Sequence, residues 1–142
     1  MLRRHVVPCL LAALACGCDV GPEHIDEVRE RLVGTWLRDY EQDGTRVRRV
    51  LVLEQDGRFL ETSRSLGPKE IGVRHVHEGE WLYDGTNLKR RYRLIDGEPV
   101  SAPTIPFAAF QLRFTGSHEF IGTDNVRGRE IRYQRVPAGT EP

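Results

Sequence analysis

The clearest indication of the fold is the stretch NLKRRYRLIDG, which extends from Asn87 to Gly97. Leu88, Tyr92 and Leu94 share one parity in this stretch, and the residues between them are basic. Alternation with a period of two is typical of a β-strand that buries one face. The Asp-Gly pair at the end supplies the positive φ angles that a tight hairpin needs. The stretch therefore predicts a half-buried strand followed by a turn.

The same succession of run and turn repeats along most of the chain. Asp-Gly or similar turn sequences separate eight apolar or β-branched runs, which comprise residues 35–41, 46–54, 58–66, 72–83, 87–95, 107–114, 119–123 and 129–136. Short links favour antiparallel neighbours, and closure into a barrel removes the exposed edges that an open sheet would carry. We therefore predict an all-β, eight-stranded antiparallel up-and-down barrel, with an open sandwich of the same strands as the alternative.

A short amphipathic helix is expected before the first run. Ile25, Val28 and Leu32 recur at helical spacing among charged residues. Pro22 is acceptable in the first turn of a helix, and Gly34 ends the pattern. The predicted organisation is a leader over residues 1–18, a tether and helix over 19–33, a barrel over 34–137 and a flexible tail over 138–142.

A basic start and a short apolar run open the chain. The run has about ten residues, which is too short to span a bilayer as a helix. Small residues then precede a cysteine, which resembles the lipobox of bacterial lipoproteins, where the leader is cut and the cysteine is acylated, for example with palmitate. We predict Cys18 as the acylated residue because Gly17 precedes it, with Cys16 as the alternative. A cleaved secretory leader or an uncleaved anchor is the other interpretation.

All three cysteines, Cys9, Cys16 and Cys18, lie in this leader. Cysteine nucleophiles, disulfide bonds and cysteine-ligated metals are therefore excluded from the predicted barrel. Without the leader the chain has 19 basic and 21 acidic residues, a balance that does not favour nucleic acid as a partner. We expect a protein of the bacterial cell envelope, lipid-anchored to the inner or the outer membrane, on the periplasmic side or the outer surface.

A Gly-x-Trp motif, Gly34-Thr35-Trp36, stands where the helix meets the first strand. Helix, Gly-x-Trp and meander strands in this order resemble lipocalins and bacterial lipocalin-like domains. The resemblance implies that an arginine near the end of the barrel packs across the tryptophan and, with Gly34 and Trp36, closes the base. Arg135 is the expected arginine, and Arg132 is the substitute. The chain departs from the family in its tight first link, in lacking a body disulfide and in lacking the usual middle motif.

The predicted links differ in length between the two ends of the barrel. Links two, four and six are tight and belong to the Trp36 end, whereas links three, five and seven are longer. Loops on a rigid scaffold carry most recognition. We therefore expect a closed base and a mouth that includes the proline-rich residues 96–106, although this segment is alternatively only a surface connection.

His75 and His77 form the only metal-like pattern of the sequence. The two residues would project from the same face of a strand and resemble the His-x-His of cupins, but the glutamate expected after them is missing. We expect solvated or hydrogen-bonded histidines, and no metal or cofactor. The sequence has no nucleophile-elbow, His-Glu-x-x-His or phosphate-loop motif, so we expect no enzymatic activity.

Arg90 and Tyr92 share the apolar parity of their strand. If that parity faces inward, Arg90 is a cation inside the barrel, and a carboxylate or another acidic group on a ligand would be its natural partner. Arg38 and Tyr40 share parity with Trp36 and would add polar groups to the same wall. Arg38, Tyr40, Arg90 and Tyr92 are therefore the predicted ligand-binding residues.

The arginines of the second strand, Arg46, Arg48 and Arg49, are interpreted as a solvated face. Two functions remain open. The first is a membrane-anchored lipoprotein whose barrel binds a small apolar or amphipathic molecule. The second is a non-enzymatic interaction or accessory module whose filled barrel binds another envelope protein. Five Phe, two Trp and four Tyr are enough to fill so small a barrel, so the cavity volume separates the two functions.

Overall fold

The computed structural model describes residues 21–67, 71–101 and 106–142, and it leaves the side chain of Ile71 undescribed. The predicted leader with Cys16 and Cys18 lies outside these residues, as do parts of two links at the predicted mouth. One helix precedes nine strands in the described residues: α1 (Pro22–Leu32), β1 (Gly34–Gln42), β2 (Thr45–Leu53), β3 (Arg58–Leu66), β4 (Ile71–Tyr83), β5 (Asn87–Ile95), β6 (Glu98–Pro99), β7 (Phe107–Phe114), β8 (Glu119–Asp124) and β9 (Glu130–Val136).

Eight of these strands match the predicted runs to within one residue at each end. The exception is β6, a two-residue strand that pairs with the end of β5. The Asp96-Gly97 turn has φ angles of 51° and 81° and folds the chain back against β5. Pro99 lacks an N–H donor, which limits so short a strand to the edge of a sheet. No strand pattern in the sequence indicates it.

The strands form a closed antiparallel ring in which every long strand pairs with its neighbours in sequence. The order is β4-β3-β2-β1-β9-β8-β7-β5, and pairing between β4 and β5 closes the barrel. Strands β1 and β9 also pair, with Trp36 opposite Arg135. The predicted up-and-down barrel is therefore confirmed, and the open sandwich is wrong.

The apolar core fills the half of the barrel nearest Trp36. Trp36, Leu51 and Leu88 are at most 1% exposed and belong to the inward-facing parity of β1, β2 and β5. The buried core consists of Val28, Leu32, Trp36, Leu51, Leu53, Phe59, Trp81, Leu88, Phe120 and Tyr133. Trp36, Phe120 and Tyr133 belong to this core, and Phe114 packs against it. The rings of these four residues contact one another in edge-to-face or stacked pairs.

Helix α1 covers the Trp36 end. Arg29 donates a hydrogen bond to the carbonyl of Gln55 at 3.3 Å, and Arg31 donates one to the carbonyl of Gly116 at 3.1 Å. Both carbonyls lie in tight links between strands. Val28 and Leu32 turn the apolar face of the helix into the core. One end of the barrel is therefore closed, and the longer links lie at the other end.

Candidate binding site at the open end of the barrel

A concave cavity of about 380 Å³ lies at the end opposite the helix. It is lined mainly by polar side chains from β1 to β4 and the first link: Tyr40, Gln42, Asp43, Thr45, Val47, Arg49, Ser63, Ser65 and His75. Tyr40, Arg49 and Ser63 occupy the same parity as the inward-facing core residues of their strands. The cavity therefore opens into the interior of the barrel rather than onto its outer face.

A buried ion pair lies between this cavity and the apolar core. Glu61 and Arg90 are each 1% exposed, and Nη1 of Arg90 donates a hydrogen bond to Oε2 of Glu61. The residues belong to β3 and β5, which flank β4 without pairing to each other. The side chains therefore meet across the interior of the closed barrel.

Glu61 has two further partners. Nδ1 of His77, directly opposite on β4, lies 3.4 Å from Oε1 of Glu61. Nη1 of Arg49 on β2 lies 3.5 Å from the same oxygen. Burial by itself would raise the pKa of Glu61, but Arg90, the hydrogen bond with His77 and Arg49 together lower that pKa to about 2. Glu61 is therefore an anion at neutral pH.

Aromatic rings surround the guanidinium of Arg90. Its Cζ lies 5.6 Å from the ring centre of Phe59, 5.7 Å from that of Tyr92 and 5.4 Å from that of Phe110. Such contacts stabilise a desolvated cation through the negative faces of the rings. Burial disfavours the charged guanidinium, but Glu61 reverses this effect and raises the pKa of Arg90. Arg90 is therefore a permanently charged residue of the interior.

Arg49 connects the buried pair to the cavity. Its side chain is 25% exposed, and its Nη2 donates a hydrogen bond of 3.4 Å to the hydroxyl of Tyr40. The guanidinium of Arg38 stacks over the ring of Tyr40, with 3.8 Å between Cζ and the ring centre. The interpretation of Arg49 as part of a solvated face is therefore wrong. The parity of β2 turns it inward, whereas its neighbours Arg46 and Arg48 lie on the outer face.

The inward-facing positions of β1 to β5 carry more positive than negative charge. Arg38, Arg49 and Arg90 accompany one carboxylate, Glu61, on these strands, while Asp43 lies at the rim in the first link. Four buried donors also lack a hydrogen-bond partner within the described residues: Nε of Arg48 on the outer face, and Nε of Arg49, Nε of Arg90 and the hydroxyl of Tyr133 in the interior. An unpaired buried donor costs about 1–3 kcal/mol. The interior is therefore suited to an anion or another strong acceptor.

The predicted ligand-binding residues fall into two groups. Arg90 and Tyr92 lie together around the buried pair, and Arg38 and Tyr40 stack on the wall of β1. Glu61 was not among the predicted residues. In the third run of the sequence, Glu61 has the same parity as Phe59, which indicates that both side chains face the same way. That position identifies an inward-facing charge but not its partner, since Arg90 is two strands away.

The predicted base residues lie together at the other end. Cζ of Arg135 is 4.2 Å from the ring centre of Trp36. Arg135 also donates hydrogen bonds to the carbonyl of Val33, at 3.1 Å, and to that of Arg31. Trp36 donates from Nε1 to the carbonyl of Leu32 at 2.7 Å. The substitute, Arg132, forms an exposed pair with Glu119 instead. Arg135 thus ties the end of the helix to the barrel.

Gly34 is required by this arrangement. Its φ angle is +138°, and a Cβ atom at this position would collide with the guanidinium of Arg135. Only a glycine combines this backbone conformation with so close an approach. The glycine of the motif therefore makes room for the arginine that covers the tryptophan.

His75 and His77 each lie against a carboxylate in the described part of the chain. Nδ1 of His75 lies 2.8 Å from Asp96, and His77 faces Glu61. The described residues contain no group of three or more His, Cys, Asp or Glu side chains that would hold a metal ion. Each histidine therefore has a carboxylate partner of its own.

No known protein family matches the chain, and no curated protein matches its sequence. No helix within residues 21–67, 71–101 and 106–142 is long and apolar enough to cross a membrane.

Proposed function

We propose that this protein is a non-enzymatic binding module of the bacterial cell envelope, whose barrel takes up the anionic end of a small amphipathic molecule. The observation that carries the proposal is the position of Arg49. Its guanidinium borders the open cavity on one side and the buried Glu61–Arg90 pair on the other. A cation held between a polar cavity and a rigid ion pair is pre-organised to bind an anion.

The size and lining of the cavity define the part of the ligand that enters. A volume of about 380 Å³ is at the lower end of the range for small-molecule sites. Because the apolar core fills the other half of the barrel, a long apolar chain has no space below the ion pair. The cavity therefore suits a polar head group, with the remainder of the molecule directed outward.

Exposed apolar side chains at the same end support an amphipathic ligand. Five of the seven large apolar residues that are exposed in the described structure lie at the ends of strands, or in a link, around the opening: Leu66, Val73, Ile95, Phe107 and Val126. An apolar rim around a polar cavity matches a molecule with an apolar body and a charged end.

The envelope location rests on the sequence of the leader. Its apolar run and small residues before Cys18, or alternatively Cys16, are typical of lipoprotein leaders. Acylation at Cys18 would hold the barrel near a membrane surface. There the protein would meet amphipathic molecules that are sparingly soluble in water.

Native mass spectrometry of the protein from its own envelope tests the proposal. We expect an intact mass that exceeds the denatured mass by a reproducible non-covalent ligand, in addition to any acyl groups. The variants Arg49→Gln and Tyr40→Phe should show a smaller fraction of ligand-bound protein, or none. Arg93→Gln is the matched control because Arg93 pairs with Glu80 on the outer face of β5. Equal ligand occupancy in all three variants would overturn the role of Arg49.

A second function, protein interaction through a filled barrel, is favoured by one observation. Ten buried side chains form an apolar core in the closed half of the barrel. Absence of a mass excess, with the acyl groups still present, would support this function over ligand binding.

A further inference from the structure

Three arginines form a row across the outer face of the barrel. Arg48 on β2 lies directly opposite Arg64 on β3, and Arg64 lies directly opposite Arg74 on β4. Directly opposed residues of an antiparallel sheet share a face. The next residues along β2 and β3, Arg49 and Ser63, face inward, so Arg48, Arg64 and Arg74 face outward. Like charges in this position destabilise a sheet. The row therefore favours anions that neutralise it.

The carboxylate next to the row is largely engaged by another arginine. Asp39 lies opposite Arg48 on β1, but it accepts hydrogen bonds of 2.9 and 2.5 Å from Arg46 and lies 3.8 Å from Nε of Arg48. Among the ion pairs of the described residues, none involves Arg64. Positive charge thus exceeds negative charge along this row.

The segment 137–142, which follows β9, places a second carboxylate on the row. A hydrogen bond from the amide of Thr140 to the carbonyl of Pro137, at 3.2 Å, closes a turn in it, and Glu141 lies 3.8 Å from Arg74. Glu141 and Pro142 border a depression of about 370 Å³ together with Arg64 and Arg74. The side chains of Arg74 and Glu141 are 57% and 78% exposed, so water screens their pairing and a competing anion can displace it.

We propose that the arginine row is a docking site for an acidic, extended peptide segment of a partner protein, which displaces Glu141. The group that lies on the row is itself a carboxylate on a short peptide, and guanidinium groups bind carboxylates through paired hydrogen bonds. The row spans two strand spacings, or about 10 Å, which is roughly three residues of extended chain. Two glutamates three residues apart therefore reach both ends of the row. This site is independent of the cavity inside the barrel.

Fluorescence anisotropy with the full chain in detergent tests the proposal. The probe is a fluorescein-labelled synthetic hexapeptide with two glutamates three residues apart. Glu141→Gln should bind this peptide several-fold more tightly than the unaltered chain, because it removes the competing carboxylate. Arg64→Gln should bind it about tenfold more weakly, which corresponds to the loss of one charge-assisted contact, and added salt should weaken binding throughout.

Arg113→Gln is the matched control. Arg113 lies on the outer face of β7, 3.5 Å from Glu130. This ion pair is exposed to solvent, as is the pair between Arg74 and Glu141. The variant changes the net charge as Arg64→Gln does, and it should bind like the unaltered chain. Equal losses in the two variants would overturn the site, and unchanged affinity in Glu141→Gln would overturn the displacement. Arg64-dependent binding to phosphatidylglycerol vesicles without peptide binding would assign the row to a lipid surface and overturn the peptide partner.

Discussion

Glu61 and Arg90 form an ion pair in the centre of the barrel, although the whole of β4 separates their strands in the sheet. Only closure of the sheet brings the two side chains together. Each ion depends on the other, because an isolated charge in this position would be desolvated without compensation. The pair therefore forms a polar layer between the apolar base and the open cavity.

We expect that removing one member of the pair destabilises the protein more than removing both. Glu61→Gln leaves Arg90 as a buried, uncompensated cation, which typically costs about 3–5 kcal/mol. The double variant Glu61→Leu with Arg90→Met replaces the pair by apolar groups and should be clearly more stable than Glu61→Gln. Urea denaturation of these two variants and the unaltered chain measures these differences. A double variant that is no more stable than Glu61→Gln would contradict the coupling.

The stability of the barrel should decrease as the pH falls from about 4.5 to about 2. The pKa of Glu61 is lowered from its ordinary value of 4.5 to about 2. In this interval the unfolded chain binds a proton that the folded chain does not, so stability is present above pH 4.5 and is lost toward pH 2. The contribution is on the order of 3 kcal/mol.

Circular dichroism in urea across this pH range measures the effect. Glu61→Gln should show a flatter dependence on pH than the unaltered chain. Glu23→Gln in the exposed first turn of α1 is the control. A similar slope in Glu61→Gln and in the control would show that other carboxylates cause the acid sensitivity.

Arg135→Ala should destabilise the base of the barrel by about 1–3 kcal/mol. The variant removes two hydrogen bonds to the end of the helix and the cation over Trp36. Arg132→Ala provides the comparison, since that exposed pair with Glu119 should contribute less than about 1 kcal/mol. Chemical denaturation measures both losses, and equal values would refute the proposed role of Arg135.

Gly34→Ala should be more destabilising than Gly139→Ala. Both glycines have positive φ angles, +138° and +82°, so both substitutions strain the backbone. A Cβ atom at position 34 also meets Arg135, whereas position 139 has open space around it. Thermal unfolding of the two variants measures this difference. If the two melting temperatures fall equally, contact with Arg135 is not the reason for the glycine.

The local sequence determined the strands and turns of this protein. Alternation along Asn87–Ile95 and the Asp-Gly turns specify β5 and its neighbours, because side-chain parity and positive φ angles are properties of a few adjacent residues. The position of Arg135 beside Trp36 also follows, since closure of a meander pairs the first strand with the last. The acylated cysteine and the envelope location remain predictions from the leader.

Only the tertiary structure decided which charges lie inside. In β2 both parities combine arginine with aliphatic residues, so the pattern does not show that Arg49 faces inward while Arg46 and Arg48 face outward. The pairing of Glu61 with Arg90 and the position of Glu141 beside Arg74 join residues distant in sequence. Alternation assigns a residue to one of two faces. Closure of the barrel decides which face is enclosed and which distant residues share it.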